Sequence, residues 1–144
     1  MEIDIAPIGY VSNEVKEPHK KDWESVTSEI IVNESLKEAL SGMDEFSHII
    51  VIYWMNRTLP SERSIMKVHP RRDANLPLVG VFATRSPARP NPIGIATVKL
   101  VGRRENILNV VGLDAIDGTP VLDIKPHIPG SDSPASAKIP NWLK

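Results

Sequence analysis

Thr84-Arg85-Ser86-Pro87-Ala88-Arg89-Pro90-Asn91-Pro92 joins two apolar runs, Val79-Gly80-Val81-Phe82-Ala83 and Ile93-Gly94-Ile95-Ala96-Thr97-Val98. Each proline fixes φ near about −65° and removes a backbone donor, so the joining segment is neither a helix nor a central strand. Ser86, Arg89 and Asn91 each precede a proline and are pushed toward extended geometry as well. The chain is therefore punctuated here by a stiff, extended connection that carries two guanidinium groups four residues apart. Such a connection holds cationic donors still, which recognition of an anionic or polar ligand requires. A rigid surface turn with solvated arginines is the plainer reading, and residue types alone leave both open.

Working outward, the periodic signals are those of strands. Ile3 to Val11 alternates in part, with Pro7 placing it at an edge or bulge. Glu29-Ile30-Ile31-Val32 is a β-branched run, and His48 to Trp54 is apolar enough to predict burial on both faces. Val79 to Thr84, Ile93 to Val101, Ile107 to Leu113 and the short Val121 to Pro126 segment complete the set. In the Ile93 run, Ile95, Thr97, Lys99 and Val101 share one face, and Ala96, Val98 and Leu100 share the other. One helix is expected over Glu34 to Ser41, with Asn33 as N-cap, an apolar stripe of Leu36, Ala39 and Leu40, and Gly42 at C′. Short strands, 13 prolines and one short helix predict an all-β, barrel-like domain.

The 144 residues predict one domain over 1–144, with residues 126–144, rich in Pro, Ser and Ala, as an irregular tail. There is no cysteine, which excludes disulfides and thiolate metal sites. His19, His48, His69 and His127 lack metal-ligand spacing, so no metal is expected, and His48 reads as a hydrogen-bonded core residue. No apolar run approaches the ~20 residues of a membrane span, and the acidic Met1-Glu2-Ile3-Asp4 start is unlike a signal peptide. The cytoplasm is the expected location, with no membrane partner. No Walker motif, nucleophile elbow or G-x-G-x-x-G occurs, which argues against nucleotide hydrolysis and a Rossmann cofactor fold.

Net charge is −1, yet its distribution is uneven. Residues 1–56 hold 11 acids and 4 bases, whereas residues 57–104 hold 2 acids and 10 bases. A block this basic presents a cationic face to phosphate if it is contiguous in space. Within it, residues 56–78 carry Arg57, Arg63, Lys67, His69, Arg71 and Arg72 with little periodicity. They read either as a cationic flap over a site or as a loose excursion, with Ser64 to Val68 as a hidden strand. Asp114-Ala115-Ile116-Asp117-Gly118-Thr119-Pro120 carries turn chemistry, because Asp-Gly favours positive φ at the glycine. Its carboxylates and amides suit a nucleoside base or ribose, and an Asx-turn closed by Asp117 is the plainer alternative. Asp123 and Lys125 share one strand face and read as a surface ion pair.

Three blocks together resemble a known family. Val79 to Gly94, Asp44-Glu45-Phe46-Ser47-His48, and Asp117-Gly118-Thr119-Pro120-Val121-Leu122-Asp123-Ile124-Lys125-Pro126 are similar to the signature of the TsaA-like (TrmO) tRNA methyltransferases, in the family's order. The resemblance implies a single-sheet β-barrel that dimerises and binds S-adenosylmethionine. It also implies methyl transfer to N6 of threonylcarbamoyladenosine, beside the anticodon of tRNA. By motif position it implies cofactor contacts at Arg85, Ile95, Asn56, Arg57 and the Asp114 to Thr119 segment, which includes Ile116, Asp117 and Gly118. Asp117 is the candidate proton acceptor. Arg89, Asn91, Lys67, Arg71 and Arg72 are candidates for contact with tRNA or with the substrate's threonyl carboxylate.

The chain also departs from the family pattern. Asn56-Arg57 stands where histidine followed by a polar residue is common. A proline-arginine-glutamine contact has no clear match around Lys21 to Ser25, where Trp23 is a candidate stacking face. The chain ends soon after the barrel, so the additional C-terminal domain of longer members is expected to be absent. A non-catalytic RNA-binding barrel and a small-molecule methyltransferase are the alternatives these departures keep open.

Overall fold

The computed structural model describes residues 1–18 and 22–144. His19 and Lys21 therefore lie outside the described residues, as does the start of the unmatched N-terminal contact. Among the described residues there are eight strands: β1 (Gly9–Ser12), β2 (Thr27–Val32), β3 (His48–Trp54), β4 (Lys67–Val68), β5 (Val79–Gly80), β6 (Ile93–Arg104), β7 (Ile107–Val111) and β8 (Pro120–Pro126). Six of them close into a barrel in the order β1-β2-β7-β6-β3-β8, and β4 pairs with β5. The chain divides into two compact units, Met1–Met55 with Ile95–His127, and Asn56–Gly94 with Ile128–Lys144. The mainly-β barrel expected from the sequence is present.

Alternation builds the barrel core. Val11 of β1, Ile30 and Val32 of β2, Ile49, Val51 and Tyr53 of β3, Val98 of β6, Leu108 and Val110 of β7, and Val121 of β8 all point inward and are buried. Each such side chain contributes about 1.5–3 kcal/mol when removed from water. In β6 the two faces divide as the pattern requires: Ala96, Val98 and Leu100 meet the core, while Ile95, Thr97, Lys99 and Val101 are exposed. Register shifts between Leu100 and Gly102 of β6, and at Ile52/Tyr53 of β3, add local twist to strands that must curve around a small barrel.

Several local expectations are corrected. The first strand does not begin at Ile3: Ile3 and Ile5 are exposed, and pairing starts only at Gly9, beyond Pro7. β3 is not buried on both faces, since Ile50, Ile52 and Trp54 are half-buried, and His48 is exposed at its start. The His48 ring hydrogen-bonds the Ser47 hydroxyl (2.8 Å) outside the core. The Val79 to Thr84 run is a strand only at Val79–Gly80. It then turns into a 3₁₀ segment, Val81–Ala83, because the Val81 carbonyl accepts both the Thr84 amide (3.1 Å) and its hydroxyl (2.8 Å).

The expected helix is a 3₁₀ helix, Glu34–Leu40. Its three-residue repeat aligns Glu34, Lys37 and Leu40 rather than the stripe of Leu36, Ala39 and Leu40, and only Leu40 is buried. Lys37 accordingly sits 3.3 Å from Glu34, one turn away. Asn33 provides no side-chain cap and donates instead to the Pro7 carbonyl. Gly42 does adopt a left-handed φ of +89° just past the helix. Among the described residues no helix is long and apolar enough to cross a membrane. Nor does any group of three or more His, Cys, Asp or Glu among them suit a metal ion.

β1 has four residues yet pairs with β2 on one side and β8 on the other. Gly9 carries this tight closure, because a Cβ built there would collide with the Ile31 carbonyl oxygen of β2. Gly9→Ala should therefore lower stability by about 1–3 kcal/mol in urea unfolding. Gly102→Ala, where a Cβ meets nothing within 4 Å, should change it by less than about 0.5 kcal/mol. Equal effects at the two positions would show that closure at β1 is not sterically tight.

Candidate functional site

Residues 112–119, between β7 and β8, form a turn fixed to the barrel end. Gly112 has φ +96° and Gly118 has φ +84°, the latter as the Asp-Gly pair predicts. Leu113, Ala115, Ile116 and Thr119 are buried, while Asp114 and Gly118 face solvent. The Asp117 amide donates to the Val15 carbonyl (2.8 Å), the Gly118 amide to Val11 (2.7 Å), and the Val11 amide to Thr119 (2.9 Å). Thr119 folds its hydroxyl back onto the Ile116 carbonyl (2.7 Å). Of the loop residues named from the sequence, Asp114 and Gly118 are exposed, Asp117 is half-buried, and the side chains of Ile116 and Thr119 serve the turn itself.

Tyr53, buried at the end of β3, donates its hydroxyl to the Asp114 carboxylate (2.7 Å) and orients it. Nothing in the sequence pattern marks this contact beyond the inward parity of Tyr53. The Asp117 carboxylate accepts the Asn13 amide on one oxygen (3.0 Å) and the Lys16 ammonium on the other (2.6 Å). The Lys16 contact first, and the Asn13 amide second, hold its pKa below the usual carboxylate range. A carboxylate so held is a weak proton acceptor, and its geometry is that of a fastener between β1's exit and the loop. It does not close an Asx-turn on its own backbone.

The proline–arginine segment belongs to the second unit and is stiffened from within. Arg89 donates through one nitrogen to the Thr84 (3.1 Å) and Ser86 (3.0 Å) carbonyls and lies 6.0 Å from the Phe82 ring centre. Arg63 donates to the Pro90 carbonyl (2.6 Å) and to the Asn91 side chain (3.2 Å), so Asn91 also serves this scaffold. The Ser86 hydroxyl accepts the Ala88 amide (3.1 Å), and Ala88 is buried. Arg85 differs from Arg89: it is exposed and has no hydrogen bond or ion pair among the described residues.

The long basic segment contains the β4–β5 pair, with Lys67 opposite Gly80 and Val68 opposite Val79. Arg71 and Arg72, both exposed, occupy left-handed backbone at φ 56° and 58°. Two successive non-glycine residues there cost of order 1–2 kcal/mol each, a strain that concentrates at functional segments. Asn56 and Arg57 are exposed at the start of the same unit. Within the basic block, Arg103 and Arg104 belong to the barrel unit and pair with Asp44 (3.0 Å) and Glu29 (3.0 Å). Ile95, named as a cofactor contact, is an exposed barrel residue of β6, and Trp23 is half-buried in a 3₁₀ turn. Asp123 and Lys125 form the expected surface pair at 2.8 Å.

The lowered Asp117 pKa has a pH signature. A depressed folded-state pKa gives stability that is fully present above the ordinary carboxylate value of about 3.9 and is lost as pH falls through the folded value. Melting temperatures of the wild type and Asp117→Asn should therefore differ near neutral pH and converge in acid below that range. A difference independent of pH would exclude the Lys16–Asp117 contact as its source.

Comparisons with known proteins place these features in a family. The tRNA-methyltransferase O N-terminal domain matches residues 11–133. A Methanothermobacter thermautotrophicus protein named "Probable S-adenosyl-L-methionine-binding protein" is 43% identical over 92% of this chain and 96% of its own length. An Archaeoglobus fulgidus protein with the same name is 41% identical over 100% of this chain, which spans only 39% of that longer relative. A crystal structure of TrmO superposes with a TM-score of 0.78 at 32% identity, covering 96% of this chain and 64% of that one. The barrel from Val11 onward, the proline–arginine segment and the Asp114 to Thr119 turn fall within the matched span, and the chain belongs to the tRNA-methyltransferase O N-terminal domain family.

Proposed function

We propose that this chain is an S-adenosylmethionine-dependent tRNA methyltransferase that methylates N6 of threonylcarbamoyladenosine beside the anticodon, acting in the cytoplasm as a homodimer. The observation that carries the reading is the family match over residues 11–133, which takes in the proline–arginine segment and the 114–119 turn. The names of the relatives support the methyl donor. The donor set fits such a ligand chemically. The Asp114 carboxylate, oriented by Tyr53, suits ribose hydroxyls, and the exposed Arg85 guanidinium suits an amino-acid carboxylate.

When bound, S-adenosylmethionine supplies an electrophilic methyl group, whose bond to sulfur breaks as its bond to the substrate nitrogen forms. The protein's own contribution is alignment, worth of order 7–11 kcal/mol at best. Asp114 and the backbone of Gly118 would hold the nucleoside of the donor, and Arg85 is a candidate cofactor contact by motif position. The urea-like nitrogen must lose its proton, and with Asp117 tied to Lys16 and Asn13 the acceptor is water or a backbone carbonyl. Arg71, Arg72 and Lys67 meet tRNA phosphates, while Arg89 keeps the proline segment rigid.

Transfer of labelled methyl to tRNA with and without the threonylcarbamoyl group, followed by nucleoside analysis, tests the reading directly. Label is expected only in the modified nucleoside, and its absence there sinks the substrate assignment. Arg85→Ala should weaken S-adenosylmethionine binding roughly 10–100-fold in calorimetry. Retained tRNA binding without any uptake of the donor by the wild type would instead favour an RNA-binding barrel. Replacing Arg71 and Arg72 by Ala should lower the slope of log affinity for tRNA against log salt by about 1 per arginine. An unchanged slope removes both from the RNA contact.

A further inference from the structure

We propose that Asn13 is a positioning residue that sets the 114–119 turn in its donor-binding geometry. This inference rests on the functional reading above, which assigns that turn to S-adenosylmethionine. Asn13 directly follows β1 and uses all of its side-chain hydrogen-bonding groups at once. Its Nδ2 donates to the Ala115 carbonyl (2.9 Å) and to the Ser28 hydroxyl of β2 (2.9 Å). Its Oδ1 accepts the Val15 amide (3.0 Å), and its backbone amide donates to Asp117 Oδ1 (3.0 Å). A carbonyl only accepts and an amide N–H only donates, so the Ala115 and Val15 contacts together fix which way the Asn13 amide faces.

One side chain thus joins three segments: the exit of β1, the buried Ser28 of β2 and the turn. The effect reaches the atoms proposed to hold the donor. Ala115 follows Asp114 directly, and Asp117 precedes Gly118. Val15, placed by Asn13 Oδ1, returns a carbonyl to the Asp117 amide (2.8 Å). Lys16 then closes on the second oxygen of Asp117 (2.6 Å). Aspartate at position 13 would keep the acceptor for Val15 but remove both Nδ2 donors, and would bring a second carboxylate beside Asp117. Alanine would remove every side-chain contact. The role therefore calls for a side-chain amide.

The test compares the wild type, Asn13→Ala and Asn13→Asp with a control, Asn106→Ala. Asn106 makes a similar side-chain bridge, to the Val32 carbonyl (2.6 Å), away from the turn. S-adenosylmethionine affinity is measured by calorimetry well below each melting transition. Amide exchange is followed at Asp117 and Gly118. Both Asn13 variants should bind at least roughly tenfold more weakly and exchange faster at those two amides, with the β7 amides unchanged. Asn106→Ala should lose stability without losing affinity.

Unchanged affinity in both Asn13 variants, alongside wild-type binding, overturns the assignment of Asn13 alone. Equal affinity losses in Asn106→Ala overturn it too, since the effect would then be general destabilisation. No binding heat in the wild type overturns the functional reading and this inference with it. Should the Asn13 variants fail to fold, the wild type decides: S-adenosylmethionine must slow exchange at Asp117 and Gly118, and unaltered exchange there refutes the proposal.

Discussion

Closure of the barrel through β1 is the constraint on which the rest depends. Four residues, Gly9 to Ser12, supply the connection between β2 and β8, and without them the sheet would have two open edges. The close approach of Gly9 to the Ile31 carbonyl draws β1 against β2. The same strand then ties down the turn leading into β8, because Val11 exchanges backbone hydrogen bonds with Gly118 and Thr119. Closure of the sheet and placement of the candidate donor turn are thus one structural event. A mutation that loosens β1 acts on both.

Much of this architecture is legible in the residues, and the failures have physical causes. β2, β3, β6 and β7 are found from β-branched and apolar runs, and the inward positions of these strands carry the core. Ile3 and Ile5 mimic that alternation without a strand to pair with, so the pattern misleads at the N-terminus. The Glu34–Leu40 segment carries helical signals of period 3.6 but winds with three residues per turn, which moves Lys37 onto the row of Leu40. At the site, Gly118 is legible because Asp-Gly states its own backbone conformation. Asn13 is not, because its partners Ala115 and Asp117 lie 102 and 104 residues away. Nothing local to Ser12-Asn13-Glu14 announces them.

The proline–arginine segment illustrates how identical residue types separate once folded. Arg85 and Arg89 look equivalent in sequence, four residues apart in one proline-rich stretch. Arg89 spends its donors on the carbonyls of Thr84 and Ser86, groups that a proline-rich loop has few amides to satisfy. Arg63 does the same for Pro90. Prolines remove donors, and arginine side chains replace them. That replacement keeps the segment rigid and leaves Arg85 as the guanidinium directed to solvent.

The same economy governs the acidic residues of the turn. Asp114 and Asp117 are three residues apart on one loop, yet their environments assign them different work. Asp117 is neutralised by Lys16 and an amide, which suits a tether and ill suits a base. Asp114, an exposed residue, is oriented by the phenolic hydroxyl of Tyr53. On the proposed reading, a methyl donor brings its own reactivity, so the catalyst's task is to hold atoms in line. A fold whose loops are fastened by side-chain hydrogen bonds is built for that task and has little need of a titrating base.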